Sequence, residues 1–97
     1  MKLFCNAFYA TKIQFFTEMK LLCDSLEIEY NNVIEMMLNN KWINPMHTQI
    51  PGSDGQISFG GACFPKDIKA LQQVMANNNV PCEVVRAVIK ERDLMRK

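Results

Sequence analysis

No glycine or proline interrupts this chain before Pro45. The first 44 residues therefore lack the two residue types that most readily break a helix. From Lys2 to about Leu26, Phe4, Phe8, Ile13, Phe16, Met19, Cys23 and Leu26 recur at steps of three to five residues. That spacing is the signature of one helix face. Leu3, Ala7, Ala10 and Leu21 lie on another side, so the spacing predicts a helix of six or seven turns covered on more than one face. A chain of 97 residues forms one small domain, and a helix that long projects beyond its core. Dimerisation through this helix is the expected remedy.

Ile28–Leu38 reads as a second, shorter helix, with Asn32 and Glu35 in the N-x-x-E layout of an N-terminal cap and Asn39-Asn40 ending it. Residues 41–62 hold Pro45, Pro51, Gly52, Gly55, Gly60 and Gly61, a loop by composition. Trp42, Met46, Ile50, Ile57 and Phe59 within it argue for a loop packed against the core. Pro65 and Pro81 suit the starts of a third and a fourth helix, where the missing N–H costs nothing. In the fourth, Val84, Val85, Val88, Ile89 and Leu94 are expected to face inward, and Arg86, Lys90, Arg92 and Arg96 to face solvent. The fold class is all-α: four helices, the first long, with one long ordered loop over 41–62.

Composition sets the partners aside. Eleven basic against ten acidic side chains leave a net charge of +1, too small to argue for nucleic acid or an anionic membrane. Charged residues break every apolar run in the first segment, so no stretch spans a bilayer, and no signal peptide is expected. Cys5, Cys23, Cys63 and Cys82 are at least eighteen residues apart, and His47 is the lone histidine. No metal site is expected, and the chain reads as reduced and cytoplasmic, with Cys5 and Cys23 as small buried hydrophobes.

Cys63 is the exception. It stands in Gly60-Gly61-Ala62-Cys63-Phe64-Pro65-Lys66-Asp67, at the mouth of the third helix. Unpaired N–H groups and the helix dipole favour a thiolate there. Lys66 adds a positive charge, and Asp67 a carboxylate able to orient water or take a proton. A thiol beside a base is what covalent catalysis at a carbonyl requires. On residues alone, an inert cysteine at a proline-started helix is the competing interpretation.

The same segment closely resembles the active-site motif of the UDP-glucose/GDP-mannose dehydrogenases. Lys2-Leu3-Phe4-Cys5-Asn6-Ala7-Phe8 resembles that family's K-x-x-x-N segment at the start of its long central helix, in the expected order and separation. The resemblance covers essentially the whole chain and corresponds to the central domain. It implies a two-step, NAD-dependent oxidation of a nucleotide sugar, such as UDP-glucose to UDP-glucuronate. Cys63 is then the nucleophile that forms a thiohemiacetal and a thioester. Lys2 and Asn6 are implied as stabilisers of developing negative charge, and Asp67 as the carboxylate that helps activate water. Lys66 is implied to lie near the cofactor. Lys2, Thr48, Gln49, Ile50, Pro51, Gly52 and Gly60 are implied as substrate contacts. Ser58 stands where the family usually has glycine, and Trp42 where it frequently has arginine.

No G-x-G-x-x-G turn and no alternating strand–helix pattern occurs in the sequence. The expectation is a central catalytic and dimerisation domain over 1–97, without the NAD-binding and nucleotide-sugar domains. Alone it would be inactive and would bind no NAD. A stand-alone helical dimerisation module without chemistry is the alternative.

Overall fold

The computed structural model describes residues 1–96. It contains four helices and, among the described residues, no strand: α1 (Lys2–Ser25), α2 (Tyr30–Leu38), α3 (Phe64–Asn77) and α4 (Glu83–Met95). The all-α expectation and the long connection between α2 and α3 both hold. At 1.5 Å per residue α1 is about 36 Å long, most of the 42 Å greatest dimension. It packs against all three other helices.

Two clusters form the core along α1. Ala7 and Ala10 let α3 and α4 approach closely, and pack with Phe59, Ile68 and Val88. Phe16 and Cys23 pack with Tyr30, Ile34 and Ile50 at the α2 end. Ile13 touches both clusters. The loop thus contributes a buried side chain to each, Phe59 to one and Ile50 to the other. Trp42 and Met46 are instead exposed.

Local chemistry explains the helix ends. After α1, Glu27 adopts φ 58°, Ile28 N donates to Cys23 O at 2.8 Å, and Glu27 N donates to Asp24 O at 3.2 Å. This is a Schellman ending with glutamate where glycine is usual. The same ending follows α3, with Asn79 at φ 58° and Val80 N donating to Met75 O at 3.1 Å. Helix α2 begins at Tyr30, with Glu29 as the cap that accepts from Asn31 N. Asn32 is inside the helix, because Schellman pairing carries the chain through Ile28 before a new turn can start. Helix α4 begins at Glu83, two residues after Pro81.

Three expectations about side-chain placement, for α4, Cys5 and the two C-terminal arginines, are corrected, and one face of α1 is left open. Val84 and Leu94 are exposed, since the inward face of α4 is completed by Val85, Val88 and Ile89. Cys5 is exposed, while Cys23 is buried as expected. Phe4 and Phe8 are exposed, together with Phe15 and Leu22. Arg92 and Arg96 turn back onto the loop rather than to solvent.

Candidate active site

Cys63 is the residue that precedes α3, exposed, with its carbonyl accepting Asp67 N at 2.8 Å as the first helical bond. Pro65 occupies the first turn, as its missing N–H predicts. Asp67, one turn on, is largely buried and accepts from Asn6 Nδ2 at 2.8 Å. Its other oxygen lies 3.9 Å from Lys66 Nζ. The two sequence segments that carry the site motifs therefore meet at Asn6 and Asp67. Lys2 opens α1 four residues before Asn6, one turn away on the same helix, and is exposed.

A cavity of about 460 Å³ lies beside this junction. Gln49, Ile50, Gly52 and Gly60 line it, with His47, Phe64 and Arg96. Of the implied substrate contacts, Lys2, Thr48 and Pro51 fall outside the lining, as do Asn6, Cys63 and Asp67, although Gly61 and Phe64 on either side of Cys63 belong to it. Thr48 is buried and structural: its carbonyl accepts from Tyr30 Oη at 2.6 Å, and its Oγ1 donates to Pro45 O at 2.7 Å. Burial, and secondarily the neighbouring Cys23, push the Tyr30 phenol up to about 12. The His47 ring lies tilted against Tyr9, ring centroids 4.7 Å apart, and meets Phe64 edge to face at 5.6 Å. Burial, with the Lys12 charge as a lesser cause, holds its pKa below the usual histidine value. The imidazole is a neutral wall of the cavity at pH 7.

The back of the loop is held by buried polar groups of α1. Ser58 N donates to Thr17 Oγ1 at 3.0 Å, and Ser58 Oγ donates to Gln14 Oε1. Ser58 itself has φ 65°, the left-handed region where glycine is cheapest. Its unusual identity is compensated by these bonds. Arg92 Nε, in the last turn of α4, donates to Phe59 O at 3.0 Å, and Arg96 Nε, just past the helix, donates to Ile57 O at 2.9 Å. The Arg96 guanidinium occupies the space that a side chain at Gly60 would take, so a larger residue there would displace it. Sequence inspection missed Gln14, Thr17 and both arginines. An Arg–Arg pair one helical turn apart was the available signal, and a solvated face accounted for it equally well.

Residues 1–92 match the model of the UDP-glucose/GDP-mannose dehydrogenase family, central domain. The chain belongs to this family. It is 32% identical over 99 residues to UDP-glucose 6-dehydrogenase of Rickettsia prowazekii (strain Madrid E), a match covering 97% of this chain and 20% of that protein. The enzyme of the same name from Rickettsia bellii (strain RML369-C) is 37% identical over 86 residues, covering 88% of this chain and 18% of its own length. UDP-glucose 6-dehydrogenase YwqF of Bacillus subtilis (strain 168) is 35% identical over 85 residues, covering 88% and 18%. The chain thus spans about a fifth of the length of these relatives. Within this dehydrogenase family, the motif containing Cys63 and the segment containing Asn6 are the pieces that the fold brings together. Among the described residues, no helix is long and apolar enough to cross a membrane. No cluster of three His, Cys, Asp or Glu side chains among them is placed to hold a metal.

Proposed function

We propose that this chain is the central catalytic and dimerisation segment of a nucleotide-sugar 6-dehydrogenase that converts UDP-glucose to UDP-glucuronate in two NAD-dependent oxidations. The observation that carries this reading is the Asn6–Asp67 hydrogen bond one turn after Cys63, because it joins the two motif segments.

In this reading Cys63 is open to solvent and adds as a thiolate to the aldehyde carbon, giving a thiohemiacetal whose oxidation yields a thioester. Lys2 and the second N–H of the Asn6 amide stabilise the oxygen that gains negative charge. Asp67, oriented by Asn6, takes a proton from the water that cleaves the thioester and frees Cys63. Gln49, Ile50, Gly52 and Gly60 contact the sugar nucleotide from the cavity wall, with Thr48 and Pro51 shaping the turn between them. NAD is the hydride acceptor of both oxidations. The described residues form no strand–turn–helix cradle for its phosphates, so we assign only Lys66 to its vicinity and no step to this chain's contact with it. The segment is accordingly inactive on its own.

We also assign a homodimer to the exposed stripe of α1, where Phe4, Phe8, Phe15 and Leu22 repeat at heptad-like spacing. The four unpaired thiols suit a reducing, cytoplasmic setting. The stripe alone would equally serve a dimerisation module without chemistry. A chimera separates the two: these 97 residues replace the matching segment of the Bacillus subtilis YwqF enzyme. The expected result is NADH formation with UDP-glucose that Cys63→Ala abolishes. A folded, dimeric chimera without activity would leave only the module.

A further inference from the structure

Arg92 lies in the last turn of α4 and Arg96 is the residue that follows the helix, and both side chains turn back onto the loop. Between them they engage a run of acceptors from 54 to 59. Arg96 Nη1 donates to Asp54 Oδ2 at 2.7 Å, Nε to Ile57 O at 2.9 Å and Nη2 to Ser58 O at 3.1 Å. Arg92 Nε donates to Phe59 O at 3.0 Å, and its guanidinium lies 5.8 Å from the centre of the Phe59 ring. The Arg96 side chain is only 10% exposed. Arg96 and Asp54 both line the 460 Å³ cavity, and the guanidinium rests in the space left by Gly60. A planar fork can address three acceptors at fixed angles, whereas a lysine ammonium is a point charge on a flexible stem. Asp54 is itself shaped for the contact, since its Oδ1 accepts from Gln56 N at 3.0 Å and turns the chain at Gly55. Arg96 also lies beyond residues 1–92 that the family model matches.

We infer that Arg96, backed by Arg92, is the positioning residue that fixes the Asp54–Gly60 wall of the cavity in its ligand-receiving shape. The inference rests on the proposed nucleotide-sugar reading of that cavity. Arg96 acts through the loop and touches no reacting atom. Its work is to order the wall before the ligand arrives, so that binding does not have to order it.

The test compares the full chain with its Arg96→Lys and Asp54→Asn variants by amide hydrogen exchange and by UDP-glucose titration in NMR. In Arg96→Lys, loop amides 55–60 are expected to exchange about tenfold faster, while the α1 and α3 amides stay within about twofold. UDP-glucose affinity is expected to fall about tenfold, because lysine keeps the charge and loses the fork. Asp54→Asn removes one charged acceptor of the four and is expected to lose about threefold in affinity. The α1 and α3 amides report in the same spectra whether either variant is folded. Unchanged loop exchange with unchanged affinity would overturn the clamp while leaving the function reading intact. Faster loop exchange in Arg96→Lys with UDP-glucose affinity unchanged would overturn the ligand role, leaving a purely structural clamp and the function reading intact.

Discussion

The side-chain amide of Asn6 on α1 donates to the carboxylate of Asp67 on α3 at 2.8 Å, across 61 residues of chain. This bond fixes the start of the long helix against the helix that carries Cys63. A hydrogen bond to a charged group contributes about 1.5–3 kcal/mol when buried, and the partial exposure of this one reduces that. Asn6→Ala is expected to lower unfolding stability by roughly 1 kcal/mol. Asn6→Asp is expected to cost more near neutral pH, because two carboxylates then face each other, and to recover in mild acid once they share a proton. Urea unfolding at both pH values checks this, and an Asn6→Asp deficit independent of pH would count against the contact.

Ser58 offers a sharper test, because two opposing effects meet at one residue. Its left-handed backbone costs a non-glycine residue about 1 kcal/mol. Its hydroxyl satisfies Gln14 Oε1, which is buried, at a gain of about 1 kcal/mol or more. Ser58→Gly loses the hydroxyl and relieves the backbone, so a small net loss is expected. Ser58→Ala loses the hydroxyl and keeps the strain. It is expected to be about 1 kcal/mol less stable than the glycine variant, reversing the usual Ala-over-Gly order. Equal stabilities of the two variants would remove the strain from the account.

Where periodicity governs, the sequence was legible: the uninterrupted run before Pro45 gave α1 its length, and Pro65 marked the start of α3. The motif residues Asn6, Cys63 and Asp67 could be chosen for the same reason, since each belongs to a short, ordered pattern. The long-range groups were not legible. Arg96 reaches a loop about forty residues away, and nothing local distinguishes it from Lys90, which stays exposed. Gln14 and Thr17 are polar residues on a buried helix face, explained only by distant partners: Ser58 of the loop for both, and Glu91 of α4 for Gln14. Phe4 and Phe8 were legible as apolar, yet periodicity cannot tell a face buried in its own core from one left for another surface.

His47 links stability to pH. Burial and the Lys12 charge hold its folded pKa below the ordinary value of 6.5. As pH falls below 6.5, the unfolded chain takes up a proton that the folded chain still refuses. The stabilisation is therefore full above that value and is lost as pH drops toward and through the lower, folded one. His47→Gln is expected to flatten this part of the stability profile, read as urea midpoints between about pH 7.5 and about pH 5. An unaltered slope in the variant would assign the effect elsewhere.

Glu18 pulls the other way. A hydrogen bond with Glu91 is the main cause of its raised pKa, with desolvation and the Glu91 charge adding to it. Gln14 Nε2 holds Glu91 Oε1 at 2.5 Å, and both carboxyl groups line an apolar groove between α1 and α4 with Phe15 and Val88. A raised acid pKa means that the folded state keeps a proton the unfolded state has released. The benefit is complete below the ordinary value of 4.5 and is lost as pH rises through the folded value. Glu18→Gln supplies a permanent N–H donor to Glu91, so it is expected to stabilise the protein at neutral pH by roughly 0.5 kcal/mol and by nothing at about pH 4. A gain of equal size at both pH values would contradict proton sharing.

The α1 stripe carries the remaining prediction. Phe8 and Phe15 are 61% and 51% exposed, a large apolar surface for two aromatic side chains on one helix. A two-fold interface contains each substituted position twice. Burying a phenylalanine contributes about 1.5–3 kcal/mol, so Phe8→Glu, which also places like charges opposite each other, is expected to weaken dimerisation by two orders of magnitude or more. Sedimentation of wild type and variant across a concentration series measures it. The groups that fold the monomer are elsewhere on α1, at Ala7, Ala10, Phe16 and Thr17, so helical content and urea midpoint of the monomeric variant should match those of dilute wild type. A wild-type chain that remains monomeric at high concentration would leave the exposed stripe without the partner assigned to it.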